Sequence, residues 1–163
     1  GQKGRDFELQ FAPHLGKKDG ILVNSGSSAN LLMVALLTTK RGGSLPKGSK
    51  FITPVVCFPT TINPIIQNGF KPVFVDVTLP NLNLDLDQVE KLLEADTAKE
   101  IKGLIFAHVL GNPPDMDRIM AIVAQTSKFV KFARPVLAWC VGLFFFFPIF
   151  YKITKLIIFI ITF

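Results

Sequence analysis

Hydrophobic positions along the first 125 residues alternate between a spacing of three to four and short unbroken runs. Phe7, Phe11 and Leu15 recur at i, i+4 and i+8, the stripe of an amphipathic helix. Gly20-Ile21-Leu22-Val23-Asn24 is a short apolar run that stops at a Ser/Gly cluster, which predicts a buried strand. Ser28 to Thr39 is rich in Leu, Ala and Met and ends at Arg41-Gly42-Gly43, so it predicts a helix. A second strand is predicted over Ser49 to Thr53, then a short helix over Pro59 to Asn68 stopped by Gly69. The β-branched run Pro72 to Val77 predicts a third strand. Asp85-Leu86-Asp87-Gln88 has the form of a capping box, in which Asp85 accepts and Gln88 reaches back, with Val89, Leu92 and Leu93 as the buried face beyond it. Lys102 to Val109 predicts a fourth strand, and Asp115 caps a last helix through Ile119, Ile122 and Val123. Strands alternating with helices give an α/β fold class: a mostly parallel sheet, helices on both faces, right-handed crossovers.

Composition narrows this. The chain has 163 residues, 49% of them hydrophobic, enough for one domain with a real core. Cys57 and Cys140 make no disulfide framework, and two Cys with two His far apart lack the paired spacing of a structural zinc site, so no metal ligands are predicted. The net charge of +6 is misleading until it is located. Residues 1–117 hold 12 basic and 12 acidic side chains, whereas residues 118–163 hold six basic ones and no acid. The basic excess therefore lies outside the folded unit, which argues against a nucleic-acid partner. The chain divides into residues 1–125, a basic junction over 126–134, and an apolar tail over 135–163 with seven of the sixteen phenylalanines. It opens on Gly1 and enters the helical stripe at once, so it is expected to begin inside a longer protein.

Ligands of such sheets collect at the carboxyl ends of the strands. After the first strand stands Asn24-Ser25-Gly26-Ser27-Ser28-Ala29-Asn30, where Gly26 permits a tight turn. Ser27 and Ser28 offer hydroxyls beside the N–H groups of a helix N-terminus, whose dipole favours an anion. Those are the physical requirements of a phosphate site, without a Walker lysine or G-x-G-x-x-G spacing; the alternative is a loop that only caps its helix. After the second strand, Phe58 suits stacking on a flat ring as well as it suits a core, with Thr60, Thr61 and Asn63 beyond it. Cys57 has no basic neighbour in sequence and is read as a small hydrophobe rather than a nucleophile. His108 follows the fourth strand, where it lines the same crevice or packs as a hydrogen-bonded histidine. Asp76 ends its strand and pairs with backbone groups.

Taken together, NSGSSANLL, CFPTTINPIIQNGFKPVFVDV and AHVLGNPPDMD resemble the fold-type-I, pyridoxal-phosphate-dependent enzymes of nucleotide-linked sugars, the DegT/DnrJ/EryC/StrS group. Within the group they are most similar to the lipopolysaccharide-biosynthesis 3-dehydrases, which remove the C-3 hydroxyl of a CDP-linked 4-keto-6-deoxyhexose on the way to O-antigen sugars. Sugar aminotransferases of the group usually carry an S-G-T-A-A-L-like loop and an H-x-Y-G-like strand end. Ser25-Gly26-Ser27-Ser28-Ala29-Asn30 and His108-Val109-Leu110-Gly111-Asn112 lean to the dehydrase side. The resemblance covers residues 1–125 and implies a partial fold-type-I large domain. By it, Ser27 and Ser28 hold the phosphate of a PLP/PMP cofactor and Phe58 stacks on its pyridine ring. It implies a cytoplasmic homodimer acting on a nucleotide-linked deoxysugar. For the dehydrases it also implies a [2Fe-2S] centre and a separate iron–sulfur flavin reductase.

Residues 1–125 do not reach the positions where the resemblance places the acid for the pyridine nitrogen, the lysine or histidine base, and the cluster cysteines. No catalytic residue is assigned, and no turnover is expected from this chain alone. Lysine or histidine at that base position separates aminotransferase from dehydrase, so an aminotransferase fragment stays as an alternative. The tail has two explanations. A change of reading frame or truncation near residue 125 fits its Phe, Ile and Lys composition. Alternatively, Pro135 to Tyr151, with basic flanks and Trp139 and Tyr151 near its ends, is a short membrane segment at the lower edge of the roughly 17–25 residues that span a bilayer. The protein would then be a non-enzymatic, membrane-anchored remnant.

Overall fold

The computed structural model describes residues 1–14, 19–40, 42–125 and 156–160, with Leu110 and the last five described by their backbone. The opening stripe forms α1 (Gln2–His14), on which Phe7 and Phe11 stack with ring centroids 5.0 Å apart. Leu15 of that stripe and Arg41 of the next helix end lie outside the described residues. Helix α1 packs on β1 (Asp19–Val23) through Phe7, Ala12 and Leu22, and Glu8 accepts the Leu22 N–H at 2.7 Å. That carboxylate occupies a donor of the strand edge, which blunts pairing there.

Helix α2 (Gly26–Leu36) follows β1, and β2 (Lys50–Pro54) leads into α3 (Pro59–Gln67) and β3 (Lys71–Val75). A short antiparallel hairpin of two two-residue strands, β4 (Val77–Thr78) and β5 (Asn83–Leu84), precedes α4 (Leu86–Ala95) and β6 (Ile101–Leu104). A 3-10 turn (Val109–Gly111) and α5 (Met116–Gln125) complete the first 125 residues, and β7 (Leu156–Ile160) is the last element among the described residues. Strands run β3-β2-β6, all parallel, with Ile52 opposite Val73 and Leu104. Successive side chains of β2 face opposite ways. Ile52 enters a core with Val75, Val89, Ile119 and Ile122 under α4 and α5, and Phe51 enters one with Ala29, Met33, Val34, Ile65 and Phe70 under α2 and α3. Helices thus cover both faces, and the expected α/β class holds.

Several boundaries differ from the expectation, each for a local reason. Among the described residues the strands fall into separate sheets: β1 pairs in parallel with β7, apart from β3-β2-β6. The fourth strand stops at Leu104 instead of Val109. Ile105 still donates to the Ile52 carbonyl at 2.9 Å, but the next rung needs an N–H from Pro54, which has none. The third strand stops at Val75 instead of Val77, because the Asp76 N–H goes to Gln88 Oε1 at 3.0 Å and the Asp76 carbonyl accepts from Asp85 N–H at 2.9 Å. The second helix starts at Gly26, two residues early, because Ser25 caps it.

Asp85 caps α4 as expected, accepting from the Asp87 and Gln88 amides. The reciprocal arm differs: Gln88 Nε2 donates to Asp85 Oδ2 at 3.0 Å, and its oxygen ties the helix to the end of β3. Asp115 accepts the Arg118 N–H at 2.9 Å at the head of α5. The basic junction over 126–134 and the apolar run Pro135 to Tyr151, including Cys140, lie outside the described residues. Within the apolar tail, the backbone of 156–160 lies in register with β1, from Asp19 opposite Leu156 to Val23 opposite Ile160.

Candidate functional site

Two strand ends and the helices after them build the site. Ser25, extended at φ −162° and ψ 162°, accepts the Ser28 N–H on its hydroxyl at 3.2 Å and donates to Ser28 Oγ at 3.1 Å. Its carbonyl takes the Ala29 N–H at 3.1 Å. The first amides of a helix have no acceptor inside it, so the Gly26 and Ser27 N–H groups point outward at the positive end of α2. Ser27 is exposed and Ser28 half-buried. The capping alternative is therefore taken up by Ser25, which also engages the Ser28 amide; the Ser27 amide and both hydroxyls remain as donors toward an anion.

Phe58 is the cap residue of α3, extended at φ −71° and ψ 139°, with Pro59 pre-set for the first helical position. Its carbonyl accepts the Thr61 N–H at 2.8 Å, and its ring is 70% exposed, so it is a free aromatic face rather than a core residue. Helix α2 packs along α3. An open cavity of about 200 Å³ lies between the head of α2 and the length of α3, lined by Ser27, Ser28, Leu31, Thr60, Asn63, Pro64 and Gln67. Phe58 stands two residues before Thr60 and outside that lining. Ser27 and Ser28 are thus brought together with the polar stripe of α3. Gln67, one turn beyond Asn63, adds to the polar residues read from sequence; its signal was the spacing of Thr60, Asn63 and Gln67 along one helix face. Donors at the head of α2, a polar-lined space and an exposed ring at the head of α3 fit a flat ring that carries a phosphate.

The other candidates separate from this site by their environment. Burial pushes the Cys57 thiol up, opposed by the Thr53 hydroxyl beside it, which makes Cys57 a poor nucleophile. Burial pushes His108 below the usual histidine value; its ring stacks with Phe106, centroids 6.1 Å apart. Asp76 is used locally, its Oδ1 accepting the Val77 N–H at 2.8 Å. A second cavity of about 300 Å³ lies between α1 and β1, lined by Arg5, Glu8, Leu9, Asp19 and Gly20 at the start of that strand. Among the described residues no three His, Cys, Asp or Glu side chains group to hold a metal ion, and no helix is long and apolar enough to cross a membrane.

Comparison with known proteins follows the same segments. The model of the DegT/DnrJ/EryC1/StrS aminotransferase family matches residues 1–130. The dTDP-4-dehydro-2,6-dideoxy-D-glucose 3-dehydratase of Saccharopolyspora spinosa is 42% identical over 132 residues, covering 80% of this chain and 28% of that protein. The lipopolysaccharide biosynthesis protein RfbH of Salmonella typhimurium is 40% identical over 118 residues, 71% of this chain and 26% of that protein. Among solved structures, the E. coli GDP-4-keto-6-deoxy-D-mannose-3-dehydratase with bound hydrated PLP superimposes with a TM-score of 0.68 at 34% identity, over 77% of this chain and 31% of that one. The chain thus spans less than a third of the length of each.

Proposed function

This chain belongs to the DegT/DnrJ/EryC1/StrS aminotransferase family, and from that premise we propose that it is the cofactor-anchoring part of a nucleotide-sugar 3-dehydratase. In this reading the cofactor is pyridoxal phosphate in its amine form, and the donors at the head of α2 hold its phosphate. The Ser27 and Ser28 hydroxyls and the Ser27 amide supply directional bonds, and the helix dipole favours the charge. Phe58 offers its exposed face to the ring, and Leu31 and Pro64 line an apolar side of the space. The bound cofactor supplies an electron sink, and this chain's own residues bind and orient it. A CDP-linked 4-keto-6-deoxyhexose is the proposed substrate, on a lipopolysaccharide route like the one in RfbH's name; dTDP and GDP are the nucleotides in the names of the two dehydratases. The proposed system further includes a second subunit, a [2Fe-2S] centre and a flavin reductase.

The observation that carries the reading is the joining of Ser27 and Ser28 to the head of α3 in one cavity. Substitution at its two ends tests it. Titration of the full chain with pyridoxamine 5′-phosphate, followed by cofactor absorbance, is expected to give weak binding. Ser27→Ala, Ser28→Ala and Phe58→Ala should each weaken it further, by roughly tenfold for a donor to a charged group. Unchanged affinity in all three would overturn the assignment. A second reading, a fragment of a nucleotide-sugar aminotransferase, is favoured by the family's own description and uses the same cofactor-holding residues.

A further inference from the structure

Helix α3 carries a proline in its interior, Pro64. In an α-helix the carbonyl of Thr60 accepts from the N–H four residues on, and that residue is Pro64, which has no N–H to give. The vacancy falls in the first turn of α3, against the wall of the proposed cofactor space. Asn30 fills it: its Nδ2 donates to the Thr60 carbonyl at 3.1 Å, across thirty residues of sequence. Asn30 is 4% exposed and sits one turn into α2, three residues after Ser27 and four after Gly26. The bond therefore joins the turn that carries the phosphate donors to the turn that Phe58 opens. We infer that Asn30 is a positioning residue, the donor that replaces the missing Pro64 N–H and thereby fixes the head of α2 against the head of α3.

This inference rests on the cofactor reading above, and it adds that the distance between phosphate donors and ring face is set by a side chain outside the cavity lining. The link is also conditional, because it matters only while position 64 lacks a donor. The test is a cycle of Asn30→Ala, Pro64→Ala and the double variant in the full chain, with pyridoxamine 5′-phosphate as probe and Ser28→Ala as the control on the reading. Asn30→Ala alone should weaken binding about five- to tenfold, the worth of one buried hydrogen bond, and speed amide exchange in α3. With an N–H restored by Pro64→Ala, the Thr60 carbonyl has a partner inside the helix, and Asn30→Ala should cost less than about twofold. Equal losses in both backgrounds would overturn the inference. So would unchanged affinity and exchange in Asn30→Ala while Ser28→Ala weakens binding, which leaves the cofactor reading standing. Loss of neither on Ser28→Ala nor on Asn30→Ala would sink the cofactor reading and the positioning role with it.

Discussion

Gly103 on β6 lies under the Phe51 ring, and an alanine there measures how tightly the layer that seats the site is packed. A Cβ built on Gly103 would meet Phe51 Cε1 at 2.6 Å and Cδ1 at 2.8 Å. Carbon atoms rest about 3.5–4.0 Å apart, so the ring must move by about 1 Å. It has little room: Phe51 is 2% exposed and held by Phe70, ring centroids 5.0 Å apart at 45°. Such overpacking costs about 1–3 kcal/mol, less about 0.4–1 kcal/mol from the stiffer unfolded chain, so a net loss of about 1–2 kcal/mol is expected for Gly103→Ala. With a urea slope of about 1–3 kcal/mol per molar, the unfolding midpoint should fall by about 0.3–2 M. Phe51→Leu shrinks the obstructing ring, so the double variant should lose less than the sum of the singles, with a coupling of at least about 0.5 kcal/mol. A Gly103→Ala chain as stable as its parent, or strictly additive singles, would refute the packing argument.

Two pH effects follow from charged and buried groups. Burial holds His108 below its usual 6.5, so the folded state favours the neutral ring. Its contribution is complete above pH 6.5 and is lost as the pH falls through the lower folded value; His108→Asn should flatten the urea-midpoint profile below pH 6.5, and an unaltered slope would contradict the assignment. Arg118 donates to Asp87 at 2.6 Å and Glu90 at 2.7 Å, joining α5 to α4, and it holds the Asp87 carboxyl below its usual 3.8. That stabilisation is present above pH 3.8 and lost as the pH falls through the lowered value, so the midpoint gap between parent and Arg118→Met should close as acid is added. A gap that stays constant into strong acid would show that the loss is of packing and not of charge.

The sequence made most elements legible because their signals are local. The apolar runs at Ile21-Leu22-Val23 and Val73-Phe74-Val75 and the Asp85 and Asp115 caps need only neighbouring residues to be read. What escaped depends on partners distant in sequence. Leu104 ends its strand because Pro54, fifty residues earlier, lacks a donor. Asp76 leaves the third strand because Gln88 takes its amide, so Val77 begins a separate hairpin. The pairing of β1 with β7 apart from the other strands has no local signature at all. In the proposed site, residue type and loop position single out Ser27, Ser28 and Phe58 as candidates. Asn30 carries no signal in the sequence, because a polar residue among Leu and Ala gains meaning only with Pro64 opposite it, which lacks a donor. Residue type leaves Phe58 open between stacking on a flat ring and a place in the core, and its 70% exposure excludes the core.

The account turns on a phosphate at the head of α2, and the most direct measurement compares two ligands that differ only in that group. The full chain is titrated with pyridoxamine 5′-phosphate and with pyridoxamine under the same salt. Charge-assisted bonds from the Ser27 and Ser28 groups predict a preference of about tenfold or more for the phosphate ester. Equal affinity for the two would contradict the central claim.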